Sequence, residues 1–276
     1  MNDVKYRFAF GVLCTLALLS SCKDKPAPTL APTASALQAA PAPPSAVTFS
    51  VDSASSKVTF LMDSPLEKID GDASGGLSGD LFVDLSDISK STALVKVDLQ
   101  KLVLYQQKRG DEKTGYSERA KSDLQNTHAR NWLQIVPRAG DVTAAQAEAN
   151  RWVEFKIDKL DGATLSNVAS ATGAERKLTA TATGDFRLHG RKQAKSAKLE
   201  ITVTYQGDKA QSIHVKTTEP LSVGLEEFEV NPRDDAGKFV KSVTEALSSN
   251  LKGKVAQQAP LNLEFTATVS AAPAAK

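Results

Sequence analysis

The residues with the most chemical promise are His189-Gly190-Arg191-Lys192, inside the stretch GDFRLHGRKQAKSAKLEITV that runs from 184 to 203. An imidazole beside a glycine and two cations has the groups to bind phosphate or to move protons. The alternative is a turn between two strands, and the surrounding residues decide. The other two histidines, His128 and His214, stand in unrelated segments. A metal site needs three or four convergent ligands, and neither an H-E-x-x-H pair nor a cysteine pair is present, so no metal is expected. No G-x-S-x-G elbow and no S-x-x-K with partners occurs, which leaves hydrolytic chemistry without an oriented nucleophile. Glu226-Glu227 and Asp234-Asp235 are adjacent acids, and on a strand adjacent side chains face opposite ways. The sequence therefore predicts no catalytic residue, no cofactor and no enzyme activity.

The elements around the turn alternate with a period of two. Val47, Phe49 and Val51 interleave with polar residues, and Val58, Phe60 and Met62 repeat the pattern after a Ser-rich turn. Leu77, Leu81, Val83 and Leu85 follow, then Val95, Val97 and Leu99, then Val153, Phe155 and Ile157. In the last third Leu178, Ala180, Ala182, Gly184, Phe186 and Leu188 line one face, before Leu199 to Tyr205, Ile213 with Val215, and Leu261 to Val269. This predicts an all-β domain of about eight antiparallel strands, as a sandwich or a closed barrel. A short helix is expected before Trp132. Phe239, Val243, Leu247, Leu251 and Val255 stand at helical spacing and predict an amphipathic helix over 237–256, as a structural cover or as a lid on a cavity. In this frame Phe186 and Leu188 end one strand, His189 to Ala194 turn the chain, and alternation resumes at Leu199. The stretch is a hairpin, with Arg187, Arg191, Lys192, Lys195 and Lys198 as a solvated turn or as contacts to anionic head groups.

The N-terminus has the layout of an exported chain. Lys5 and Arg7 precede an apolar run from Phe8 to Leu19, too short to span a bilayer, and Leu19-Ser20-Ser21-Cys22 resembles the bacterial lipobox. Residues 1–21 are thus expected to be a lipoprotein signal peptide. Cys22 becomes the first residue, carrying the palmitate-bearing lipid that holds the chain to a membrane of the bacterial envelope, facing periplasm or surface. Cys14 leaves with the signal, so no thiol remains for a disulfide or for catalysis. Removing Lys5, Arg7 and Asp3 takes the formal charge from +2 to +1, and a nearly neutral chain argues against nucleic acid as a partner. Residues 22–46 are rich in Ala and Pro and predict an extended, semi-rigid tether with nothing to contribute to a core. Residues 47–270 form the β domain and 271–276 a tail.

Several motifs resemble one family. Gly184-Asp185-Phe186-Arg187-Leu188-His189-Gly190 looks like the G-x-L-x-L-H-G strand of YceI-like proteins; FSVDSASSKVTF with Asp52, Ser55, Ser56, Val58 and Phe60 resembles their first hairpin. Gly71 and Gly79, STALVKVDLQKL and DLQNTHARNWLQIVP follow in the family's order. After His189-Gly190 the chain departs, with Arg191, Lys192, Gln193 and Ala194 where the family usually has a valine, a hydroxyl residue, a basic residue and proline. The resemblance implies a lipocalin-like barrel that holds a polyisoprenoid or fatty-acyl chain. Its expected lining residues are Phe49, Phe60, Phe155, Ala180, Ala182, Gly184, Phe186 and Phe265; the small residues either widen a tunnel or fill the taper of a packed barrel. A competing reading is an interaction module that carries no ligand.

Overall fold

The computed structural model describes residues 30–233 and 258–270. Along the chain lie β1 (Val47–Val51), β2 (Lys57–Asp63), β3 (Glu67–Asp72), β4 (Leu77–Val83), β5 (Thr92–Asp98), β6 (Val103–Lys108) and β7 (Ala120–Lys121). Two helices, α1 (Asp123–Trp132) and α2 (Ala144–Asn150), precede β8 (Trp152–Asp161), β9 (Glu175–Leu188), β10 (Arg191–Gln206), β11 (Lys209–Thr217), β12 (Leu221–Gly224) and β13 (Gln258–Val269).

Eight of these strands close on themselves. The order β1-β4-β5-β8-β9-β10-β11-β13 returns to β1 through Phe49 opposite Val269, and every neighbouring pair is antiparallel. Closure pairs every strand of the ring on both sides over part of its length, and eight strands give an interior just wide enough for side chains or one slender ligand. Phe49, Leu77, Leu81, Val95, Phe155, Ile201, Val215 and Phe265 share one continuous core, as the alternation predicted. β2, β3 and β6 prolong β1, β4 and β5 past short breaks, and with β7 they form a ribbon on one end of the barrel. Two of the three breaks are short 3-10 turns capped by acids: Asp52 accepts from the Ala54 N–H and Asp98 from the Gln100 N–H. Leu99 consequently stands in a turn instead of extending the strand of Val95 and Val97.

The helix expected before Trp132 is α1, capped by Ser122. α2 was not anticipated, although Thr143 and Gln146 spell a reciprocal capping box that both side chains complete. The predicted signal peptide, Cys22, the 237–256 helix and the tail lie outside the described residues.

One expectation is overturned. Residues 30–46 are not a spacer clear of the domain, since Ala31 is 2% exposed within the core and Leu37 is 8% exposed. The segment is extended, as its composition requires, but backbone hydrogen bonds fasten it to the barrel: the Ala34 N–H donates to Gly190 O at 2.8 Å and the Lys192 N–H to Pro32 O at 2.8 Å. Proline forbids helix without forbidding an extended pairing in which it only accepts.

Candidate functional site

A cavity of about 110 Å³ lies inside the barrel, walled by residues from seven of its strands. Leu81 of β4, Val95 of β5, Phe155 of β8, Leu199 of β10, Val215 of β11 and Phe265 of β13 each turn inward, because each falls on the same phase of its strand's alternation. Among the described residues none that borders the cavity is charged. Thr217 lies on the inward phase of β11 at its last residue, and its hydroxyl accepts from the Leu263 N–H at 3.1 Å, so it too is satisfied by protein. Of the described wall residues only Thr92 has a buried polar atom without a partner, its Oγ1, and one such atom falls short of the two to four that hold a buried water, so the space suits an apolar occupant. Among the described wall residues Ile88 and Leu160 are buried, whereas Val97, Val153 and Ile157 on β5 and β8 and Leu221, Leu261 and Leu263 on β12 and β13 are half-buried.

Three of the expected lining residues border this space: Phe155, Phe186 and Phe265. Phe155 meets Phe186 edge-on with centroids 6.2 Å apart, and Phe186 meets the fully buried Phe228 in the same manner at 5.6 Å. The other five lie elsewhere. Phe49 is buried in the core without reaching the cavity, and Phe60 sits half-buried on the ribbon, its ring covering Gly71. Ala180 and Ala182 are buried in the wall. Gly184 is small for its backbone: a Cβ there would lie 1.9 Å from Lys156 O, where β8 shifts register against β9. It marks a tight bend in the barrel wall and widens nothing. The small residues that do border the cavity, Ala93 and Ala197, escaped sequence reasoning. Ala197 faces Ala182 directly across β9 and β10, a pairing visible only once the register is known.

The His189 turn is tighter than its polar run suggested. Only His189 and Gly190 form the loop, with φ of 50° and 69°, and β10 resumes at Arg191. Two residues of positive φ give the turn whose twist matches a hairpin, and histidine occupies the position usually taken by asparagine. Both ring nitrogens are engaged: Nδ1 lies 3.1 Å from Phe228 O, and Nε2 lies 2.7 Å from the Gln134 side-chain amide. With the Gln134 amide turned so that its nitrogen donates to Nε2, its oxygen accepts from Arg233, which makes a relay from Arg233 through Gln134 and His189 to Phe228 O. Burial pushes the His189 pKa down, so the ring is neutral and Nδ1 carries the proton that Phe228 O accepts. The histidine organises a turn; neither nitrogen is left for substrate.

The cations around it are all paired, and Arg187, Arg191 and Lys195 are largely buried while Lys192 and Lys198 stay at the surface. Arg191 pairs with Glu229, Lys192 with Asp185 at 2.8 Å, Lys195 with Glu227 at 3.1 Å and Lys198 with Glu219 at 3.0 Å. Arg187 is 3% exposed and pairs with Glu154, itself 1% exposed, which also receives Lys96 at 3.0 Å and the Leu37 N–H at 2.8 Å. Glu154 reads as an ordinary outward residue between Val153 and Phe155; its partners come from three distant segments, so no local signal exposes it. His128 stacks on Trp132 and His214 meets Glu264, both away from His189. Among the described residues no group of three or more His, Cys, Asp or Glu is placed to hold a metal.

Fold and cavity together define a closed eight-stranded antiparallel barrel whose strands follow one another around the ring and whose interior is apolar. No family model matches the chain, and no curated protein matches it. Among solved structures it is similar to a polyisoprenoid binding domain from Saccharophagus degradans implicated in plant cell wall breakdown, with 17% identity over 81% of this chain and 99% of that one, at a TM-score of 0.46. It is also similar to Burkholderia cenocepacia BcnA, with 14% identity over 80% of this chain and 99% of that one, at a TM-score of 0.43.

Proposed function

We propose that this protein binds one slender apolar lipid, a polyisoprenoid or a long fatty-acyl chain, inside its barrel, and that it sequesters or carries that lipid as a lipid-anchored protein of the bacterial envelope. The observation that carries the reading is the cavity of about 110 Å³ in a closed barrel, whose described wall is largely apolar and carries no charge. It is of the same order as the roughly 150 Å³ apolar cavity that takes up an aromatic ring. Left empty, such a space costs about 2.6 kcal/mol at roughly 24 cal/mol per Å³. At ~0.8 kcal/mol per methylene, filling this space accounts for about three methylenes of a chain, and the rest of a longer chain binds only where wall side chains move aside for it. Shape and apolar walls suffice for this, and no catalytic group is needed.

Membrane attachment rests on the lipobox-like Leu19 to Cys22, with Cys22 as the acylated residue. The test of the ligand is native mass spectrometry with solvent extraction on residues 23–276 expressed in a bacterial periplasm without the anchor. A near-stoichiometric apolar molecule is the expected result, and its mass gives its class. A protein that emerges empty and takes up neither farnesol nor palmitate would leave an interaction module as the better reading.

A further inference from the structure

The first described residues form a strap across the hairpin end of the barrel. β11 pairs with β10 only from Leu199 to Gln206, so Arg191 to Lys198 are paired with β9 on one side and lack a β11 partner on the other. The segment 31–37 meets that free edge: Thr33 pairs antiparallel with Arg191, flanked by the bonds between Lys192 N–H and Pro32 O and between Ala34 N–H and Gly190 O. Side chains extend the attachment. Arg191 Nη1 donates to Ala31 O at 2.8 Å, Arg187 Nε to Ala34 O at 3.1 Å, and the Ala31 N–H donates to Glu227 O at 2.9 Å. At the far end the Leu37 N–H is the backbone donor to the buried Glu154 carboxylate. Residues 31–37 are thus built into the barrel, with two buried side chains and both charges of a buried pair engaged.

This changes how far the barrel stands from its anchor. A chain free from Cys22 to Ala46 reaches about 85 Å, whereas nine steps from Cys22 to Ala31 reach only about 30 Å. We infer that residues 31–37 are a strap that fixes the hairpin end of the barrel close over the membrane holding the Cys22 anchor, so that this bilayer is the lipid surface the barrel exchanges with. The inference rests on the proposed acylation of Cys22. Glu227, which receives the strap, follows β12, whose Leu221 borders the cavity, so the strap and one wall of the cavity meet at the same end of the barrel.

The test uses the full lipidated chain in phosphatidylethanolamine and phosphatidylglycerol vesicles. A dye on Asp208→Cys, in the turn at the opposite end of β10, reports height by energy transfer to a headgroup dye. Hydrogen exchange is read at Ala31, Ala34 and Leu37. Native protein should hold these three amides roughly 100-fold below free-chain exchange. The strap-releasing pair Ala34→Pro and Leu37→Asp should free Ala31 and increase the dye's mean height, while the β10 amides from 199 to 206 stay protected. Free-chain exchange at all three amides in the native protein, or a height that does not respond to release, overturns the inference. Equal vesicle binding by Cys22→Ser would refute the anchor and the membrane half of the proposal, whereas the exchange data would still report whether the strap is docked.

Discussion

Ala197→Leu should close the cavity while leaving the fold intact. Ala197 sits in β10 opposite Ala182, is buried, and borders the cavity. Leucine adds three carbons, and placing them in an apolar space gains about 2.4 kcal/mol at ~0.8 kcal/mol per methylene. The whole cavity sets a ceiling of about 2.6 kcal/mol at roughly 24 cal/mol per Å³ over 110 Å³. The ligand loses the room for the same three carbons, which weakens binding roughly 60-fold. Two assays separate the effects: urea unfolding of the ligand-free protein, and displacement of a fluorescent fatty acid by farnesol or palmitate. Higher stability together with weaker binding is the expected result. Unchanged affinity would show that the ligand sits elsewhere, and a loss of about 1–3 kcal/mol without ligand would show an interior already filled, as overpacking does.

Glu154→Ala should cost about 3–5 kcal/mol in urea unfolding, because Arg187 remains buried beside a missing carboxylate; a cost under about 1 kcal/mol would mean that water reaches the pair. Gly184→Ala should destabilise by about 1–3 kcal/mol or block folding, since the new Cβ meets the Lys156 carbonyl, while Gly110→Ala, with open space around it, stays within about 0.5 kcal/mol of the native protein; equal behaviour of the two variants would contradict the wall geometry. His189 is held neutral by burial, so its folded pKa lies below the ordinary 6.5 and the unfolded chain binds the extra proton. Its contribution is present above pH 6.5 and is lost as pH falls below it, with a limiting slope of about 1.4 kcal/mol per unit. Asp84 and Asp98, lowered by bonds from Ser45 and Arg151, respond only near and below their ordinary 3.8. His189→Asn should flatten the stability profile just below pH 6.5, and an unaltered profile there would rule out the assignment.

The alternation of Val47, Phe49 and Val51, of Val153, Phe155 and Ile157, and of Leu261, Leu263 and Phe265 determined strands, an inward face and an all-β domain. Apolar spacing is a local property, and each strand carries its own. The hairpin at His189-Gly190 was legible for the same reason, as was α1. What a residue faces across the barrel is not local. Gly184 reads as spare room until Lys156 O is found against it, and Glu154 reads as solvated until Lys96, Arg187 and Leu37 surround it. The cations of the turn look free in sequence because their carboxylates, Glu219, Glu227 and Glu229, arrive from beyond β11. Composition identified 22–46 as extended, and only the unpaired edge of β10 decided that its described part is bonded to the barrel instead of clear of it. The cavity itself is a remainder, the space that inward side chains from seven strands fail to fill. Its volume depends on register and curvature, which one strand's sequence does not contain.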